Sequence, residues 1–201
     1  MLEKPAVTQA PIADLIARRW SSRAIDPDKP VGREHLLALL EAARWAPSCS
    51  GEEPWRYLVW DRFRDPSGWR QAFECLDEGN QIWVRNAPVL LLSLAAPNFG
   101  RNDKLNRWAQ YDTGAASENL CLQATAMDLV AHQMGGFDPE KAKACFNIPT
   151  DHACMAMIAV GHPAPADVLS EPLRDRELAP RKRKPLDRIA FEGGWEQELR
   201  A

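Results

Sequence analysis

Five cysteines in 201 residues, scattered as Cys49, Cys75, Cys121, Cys145 and Cys154, form no C-x-x-C pair and have no histidine at ligand spacing. Neither a disulfide framework nor a zinc site is therefore expected, and the thiols read as buried and free, with Cys49 set apart by its place in a candidate site loop. No apolar segment approaches the roughly 20 residues that a membrane helix needs. Residues 1–10, MLEKPAVTQA, lack the basic start and apolar run of a signal peptide, so the expectation is a cytoplasmic protein with no membrane contact. A formal charge of -3 gives the molecule no overall attraction for nucleic acid. No G-x-G-x-x-G turn links a strand to a helix, so a separate dinucleotide-binding domain is not indicated. What the chain does have is 45% hydrophobic residues, enough for one globular domain over residues 1–201, with an appended arm from about 181.

Periodicity organises the chain around the stretch from Tyr111 to Asp138. From Thr113 to Leu129 there is no proline, and Ala116, Leu120, Ala124, Met127 and their neighbours cover most of a helix circumference, as in a helix at the centre of a fold. This helix is expected to run into Ala131-His132-Gln133-Met134-Gly135-Gly136, where glycines admit close backbone approach to a ligand. Before it, helical patterns cover a short segment ending near Arg19-Trp20, residues Arg33 to Trp45 with Leu36, Leu37, Leu40, Ala43 and Trp45 inward, and residues Pro66 to Asp77. Arg56 to Trp60, Ala87 to Ala95 and Ala153 to Gly161 read as strands, the last two buried on both faces. Asp138-Pro139 is an N-cap and first helical position for a helix through Phe146. Residues 162–180 show no core pattern, and residues 189–195 alternate briefly, as an edge strand or an arm on a partner would. Three strands set between helices give an α+β layered sandwich.

Candidate site residues come in four groups. Arg19, Trp20, Ser21 and Arg23 lie in a segment where alternate positions share one side when extended, an arrangement that grips a phosphate or a heterocycle edge; a solvated helix end carries the same cations. Pro47, Ser48, Cys49 and Ser50 lie in a turn-rich loop where the serines either donate to a ligand or cap turns. His132, Gln133, Met134, Gly135 and Gly136 follow the central helix, and His132 reads equally as a satisfied structural residue. Arg181 and Arg183 belong to a run of four cations, otherwise a solvated face or a polyanion contact.

The order of these signals, from Arg19 to Trp195, resembles the FMN-dependent nitroreductase family. Arg19-x-Ser21-x-Arg23 looks like its first flavin-contacting motif. Pro47-Ser48-Cys49-Ser50 through Pro54-Trp55 looks like its second, which in the family reaches FMN from the opposite subunit. Asn80 resembles the asparagine at the pyrimidine edge, His132 to Gly136 the segment along the isoalloxazine, and Arg181-x-Arg183-x-Pro185-Leu186 the closing phosphate-binding motif. The resemblance implies a mostly antiparallel sheet flanked by helices, an intertwined homodimer with shared FMN sites, and the long helix at the dimer core. It departs from the family at Gly51 and Glu53, where Asn and Gln are common, and at Trp83, where some members place a lysine.

What the resemblance implies chemically is an NAD(P)H-dependent flavin oxidoreductase. Electrons pass from NADH or NADPH through FMN to a small electron-poor acceptor, such as a nitroaromatic, quinone or enone, by a ping-pong cycle at one site. No protein acid or base and no metal is required. Two other readings stand beside it: a protein that stores, senses or fragments FMN without nicotinamide turnover, and an interaction protein using residues 174–188 on a polyanion.

Overall fold

The computed structural model describes residues 2–199. In chain order it contains α1 (Asp14–Arg18), α2 (Arg33–Arg44), β1 (Trp55–Asp61), α3 (Pro66–Phe73), α4 (Glu78–Val84), β2 (Val89–Ala95), α5 (Ala109–Ala126), β3 (Val130–Met134), α6 (Pro139–Phe146), β4 (Ala153–Gly161) and α7 (Glu171–Leu178). The strands form one sheet in the order β1-β2-β4-β3, with every pairing antiparallel. This is the α+β arrangement expected, with one strand more than the periodicity revealed.

Strand alternation divides the core into two layers. On one face Leu90, Leu92, Leu94, Met157 and Met134 pack against Trp69, Ala72, Leu76, Trp83 and Ala142 from α3, α4, α6 and their connections. On the other, Val89, Leu91, Ile158, Val160 and Ala131 meet Leu36, Leu39 and Ala43 of α2 and Leu120, Cys121 and Ala124 of α5. With helices on both sides, β2 is buried at all seven positions, which is why its sequence is an unbroken apolar run.

Five expectations need correction. The central helix stops at Ala126, and Val130–Met134 is a strand paired with β4. The turn between them is made by Asp128 at φ 54°, a left-handed conformation that a short polar side chain tolerates, so no glycine or proline marks it. The helix over 66–77 ends at Phe73 and a second one, α4, starts at Glu78. On α2, Leu37 and Trp45 are exposed and Leu39 is fully buried, so the inward stripe is narrower and rotated. Residues 162–180 do contribute to the core, through Leu169 and the α7 residue Glu177. The tail makes an isolated bridge between Phe191 and Glu198 and joins no sheet. Among the described residues, no helix is long and apolar enough to cross a membrane.

Candidate flavin-binding site

The segment after α1 is shaped chiefly by partners distant in sequence. Arg19 leaves the helix with extended backbone (φ -60°, ψ 126°), and residues 24–26 are then tied to the chain beyond β4 by Asp26 N–H to the His162 carbonyl (2.9 Å) and Ala164 N–H to the Ala24 carbonyl (3.0 Å). Between these anchors the backbone is gripped from below. The Glu177 carboxylate, 1% exposed, accepts from the Ser22 hydroxyl, from Arg23 N–H at 3.1 and 3.2 Å and from Ala24 N–H at 3.3 Å. His132 Nδ1 lies 3.0 Å from the Ser22 carbonyl. Ser22 is buried, Ser21 exposed and Arg19 and Arg23 half-buried, so extended backbone sets Arg19, Ser21 and Arg23 on the side opposite Ser22.

Arg181 holds the same segment by its carbonyls. Its guanidinium donates to the Lys4 and Ala17 carbonyls, both at 2.7 Å, and to the Arg19 carbonyl at 2.9 Å. The two chain ends are thus joined, but Arg181 does so as a brace for the backbone. Arg19 pairs with Glu118 (3.1 Å). Arg183 is exposed and donates only to its neighbour's carbonyl, Lys182, at 2.9 Å.

Arg181 and Lys4 respond to burial and to the charges around them. Burial first, then Arg19 and Arg183, hold the Arg181 guanidinium below its ordinary pKa. Burial also lowers Lys4, against the attraction of Glu177 and with help from Arg181 and Arg23. The His132 imidazole is pushed down from 6.5 to about 4, chiefly by burial, opposed by the Ser22 carbonyl and reinforced by Arg23 and Arg19. It is therefore neutral at pH 7 and donates from Nδ1, the only sense in which a carbonyl can pair with it. Its ring lies 4.7 Å from Trp83, itself 1% exposed and 5.9 Å from the Arg23 guanidinium. His132 and Trp83 form a wall behind Arg23.

Further along β3, Met134 is buried in the core, so only its backbone is open to a ligand, and Gln133 donates to the Cys121 thiol (3.4 Å). The two glycines differ. A Cβ on Gly136 would lie 2.7 Å from Asn80 Nδ2 and 2.9 Å from Asp77 Oδ2. That close approach lets Asn80 donate to the Gly136 carbonyl at 2.9 Å and Asp77 N–H to the same oxygen at 3.1 Å. A Cβ on Gly135 would meet nothing within 4 Å. Gly135 thus presents bare backbone to open space.

The loop of Pro47, Ser48, Cys49 and Ser50 lies elsewhere. Cys49 N–H donates to Asp112 of α5 (3.0 Å), Glu53 N–H to the Ser48 hydroxyl (3.0 Å), and Ser50, Gly51 and Glu53 all have positive φ. Ser48 is therefore a turn-stabilising residue here. The loop enters β1, whereas His132 to Gly135 leave β3, and these are the two opposite edges of the sheet. Three inter-strand steps separate them by roughly 14 Å.

A cavity of about 460 Å³ lies on the inner side of the 19–23 segment, lined by Lys4, Trp20, Ser22, Leu129, Val130 and Pro163 among others. Trp20 faces it, with the Lys4 ammonium 4.4 Å from its ring, and so points away from the outer, arginine-bearing side.

The sequence model of the Nitroreductase family matches residues 16–162. The chain belongs to the nitroreductase family. A solved structure described as an oxidoreductase containing FMN superposes with a TM-score of 0.89 at 35% identity, covering 96% of each chain. Protein DrgA of Synechocystis is 30% identical over 179 residues, 74% of this chain and 82% of its own. A Thermus thermophilus protein named NADH dehydrogenase is 28% identical over 205 aligned positions, 87% of this chain and 92% of its own.

Family membership places the first motif, the serine loop and the glycine pair inside the matched range, while Glu177, Arg181 and Arg183 lie beyond it. Sequence reasoning missed Glu177 and the buried Asp112. Glu177 sits in the polar run EPLRDREL, which carries no core signal. Asp112 sits in a helix whose overall apolarity masks single acidic positions.

Proposed function

We propose that this nitroreductase is an NAD(P)H-dependent FMN oxidoreductase that passes electrons to a small electron-poor acceptor, a nitroaromatic, quinone or enone, by a ping-pong cycle at one site. The observation that carries the proposal is a cluster of cations, with Arg19 and Arg183 close enough to act on the partly buried Arg181 and Arg181 bracing the backbone of Arg19, in a chain that also holds a glycine, Gly135, whose side-chain position is empty. Such a cluster favours an anion nearby, and Glu118 is the one carboxylate paired with it among the described residues. A flavin phosphate is such an anion, and the bare backbone at Gly135, three residues or roughly 10 Å along β3 from His132, is a surface for its ring. The related structure described as containing FMN supports the same reading.

FMN, when bound, supplies the hydride chemistry, taking a hydride from the nicotinamide and delivering electrons to the acceptor. The chain's own residues bind and orient. Arg19 and Arg183 grip the phosphate with charge-assisted hydrogen bonds, and Arg181 braces the backbone that carries Arg19. Arg23, backed by Trp83 and the neutral His132, places a fixed positive charge where negative charge develops on the pyrimidine side of the ring. Asn80 holds the Gly135-Gly136 segment through the Gly136 carbonyl, and Gly135 excludes any side chain between backbone and ring. Because Pro47 to Ser50 sit at the far edge of the sheet, they complete a site of this kind only from a second copy, as in a homodimer with shared sites. The cations of the first motif and the C-terminal run serve this small anion in place of a polyanion.

Anaerobic mixing of flavin-loaded protein with NADH and with NADPH tests the proposal. Bleaching of the flavin absorbance, reversed by an electron-poor acceptor, is the expected result. Bound flavin that neither nicotinamide reduces favours the storage or sensing reading instead.

A further inference from the structure

Glu177 is a buried carboxylate with no cation on its oxygens among the described residues. Charge removed from water in this way is tolerated only where several donors converge on it, and here the donors are the Ser22 hydroxyl and the N–H groups of Arg23 and Ala24. The nearest ammonium, Lys4 Nζ, donates to the backbone carbonyl of Glu177 at 2.5 Å and not to its carboxylate. All three carboxylate partners belong to one short segment, the one that presents Arg19, Ser21 and Arg23.

Successive backbone N–H groups pointing to one spot make an anion-binding concavity. In this chain Glu177 already occupies it. Four residues later Arg181 takes the carbonyls of Ala17 and Arg19, and His132 takes that of Ser22. The main chain around the motif is thereby satisfied internally from both its N–H and its C=O sides, and what remains facing outward is side chains.

Resting on the FMN reading above, we infer that Glu177 is a positioning residue for the cofactor phosphate: by filling the backbone anion site at Ser22–Ala24 from inside, it denies that site to the phosphate and leaves the phosphate to the guanidinium groups of Arg19 and Arg183. Discrimination between FMN and riboflavin, which differ only by the phosphate, therefore depends on a carboxylate that touches neither.

The test compares FMN and riboflavin affinities, by quenching of flavin fluorescence, in wild-type protein, Glu177→Gln and Ser22→Ala. Glu177→Gln keeps the shape but turns an amide NH₂ toward the N–H donors, which frees the segment. The expected result is a loss of about tenfold or more in FMN affinity, of the order set by hydrogen bonds to a charged group, with a smaller loss for riboflavin, which shares only the ring contact of Arg23. Ser22→Ala removes one donor of several and should lower the FMN-to-riboflavin ratio less. A folded Glu177→Gln protein with the wild-type ratio, or equal losses for both flavins, overturns the inference while leaving the FMN reading intact. If Glu177→Gln does not fold, an unchanged ratio in Ser22→Ala overturns it. Wild-type protein that binds neither flavin removes the functional reading and the inference together.

Discussion

Replacing His132 with asparagine should flatten the acid limb of the protein's stability curve. In the folded chain burial pushes the imidazole down from 6.5 to about 4, so between those values the unfolded chain binds a proton that the folded chain does not. Stability contributed by the neutral ring is therefore complete above about pH 6.5 and is lost as pH falls towards 4. Linkage from these two values gives a loss of about 2 kcal/mol by pH 5 and about 3 kcal/mol by pH 4, relative to pH 7.5. Asparagine does not titrate, and its amide can still donate to the Ser22 carbonyl. It abandons the ring contact with Trp83, so the variant will be less stable throughout, and the slope is what matters. His162, also lowered mainly by burial, titrates equally in both proteins and cancels. Denaturant unfolding of flavin-free protein at several pH values measures the difference curve. Parallel curves for the two proteins between pH 6.5 and 4 would refute a buried, neutral His132 behind the first motif.

Asp138 caps α6 by accepting from Lys141 N–H at 2.9 Å; Asp138→Ala should cost about 1 kcal/mol and lower the melting temperature by roughly 3 °C, and an unchanged melt would show the cap to be redundant. Gly135→Val should leave the melting temperature nearly unchanged, because a Cβ there meets nothing, yet weaken FMN binding measured by equilibrium dialysis. Full flavin affinity in that variant would place the ring away from the glycine.

Much of the fold was legible because binary pattern and burial agree. The run at Val89–Ala95, and that at Ala153–Gly161 from Met157 onward, could be buried on both faces only in a sheet covered by helices, and Asp138-Pro139 started a helix for local reasons that needed no tertiary help. The failures share a cause, which is tertiary contact overriding local signals. β3 follows α5 after only Met127, Asp128 and Leu129, α4 opens on Glu78-Gly79-Asn80, which reads as a turn, and its packing rests on Trp83 and Val84. The exposed Leu37 and Trp45 show that periodicity finds an apolar face without saying which part of it meets the core of its own chain. At the site, residue types announced the arginines and glycines but not their division of labour. Arg181 and Arg183 are alike in sequence, and only the carbonyls of Lys4, Ala17 and Arg19 make one a brace and leave the other outward. Glu177 had no signal at all, since its partners lie some 150 residues away in the chain, at Ser22 to Ala24.

The account depends on cations from both chain ends meeting one flavin phosphate, and the FMN affinity of Arg19→Ala, Arg183→Ala and the double variant measures that directly. Each single change should weaken FMN binding by about tenfold, the scale of one charge-assisted contact, with riboflavin affinity little altered and the double variant retaining no preference for FMN. Wild-type FMN affinity in both single variants would contradict it.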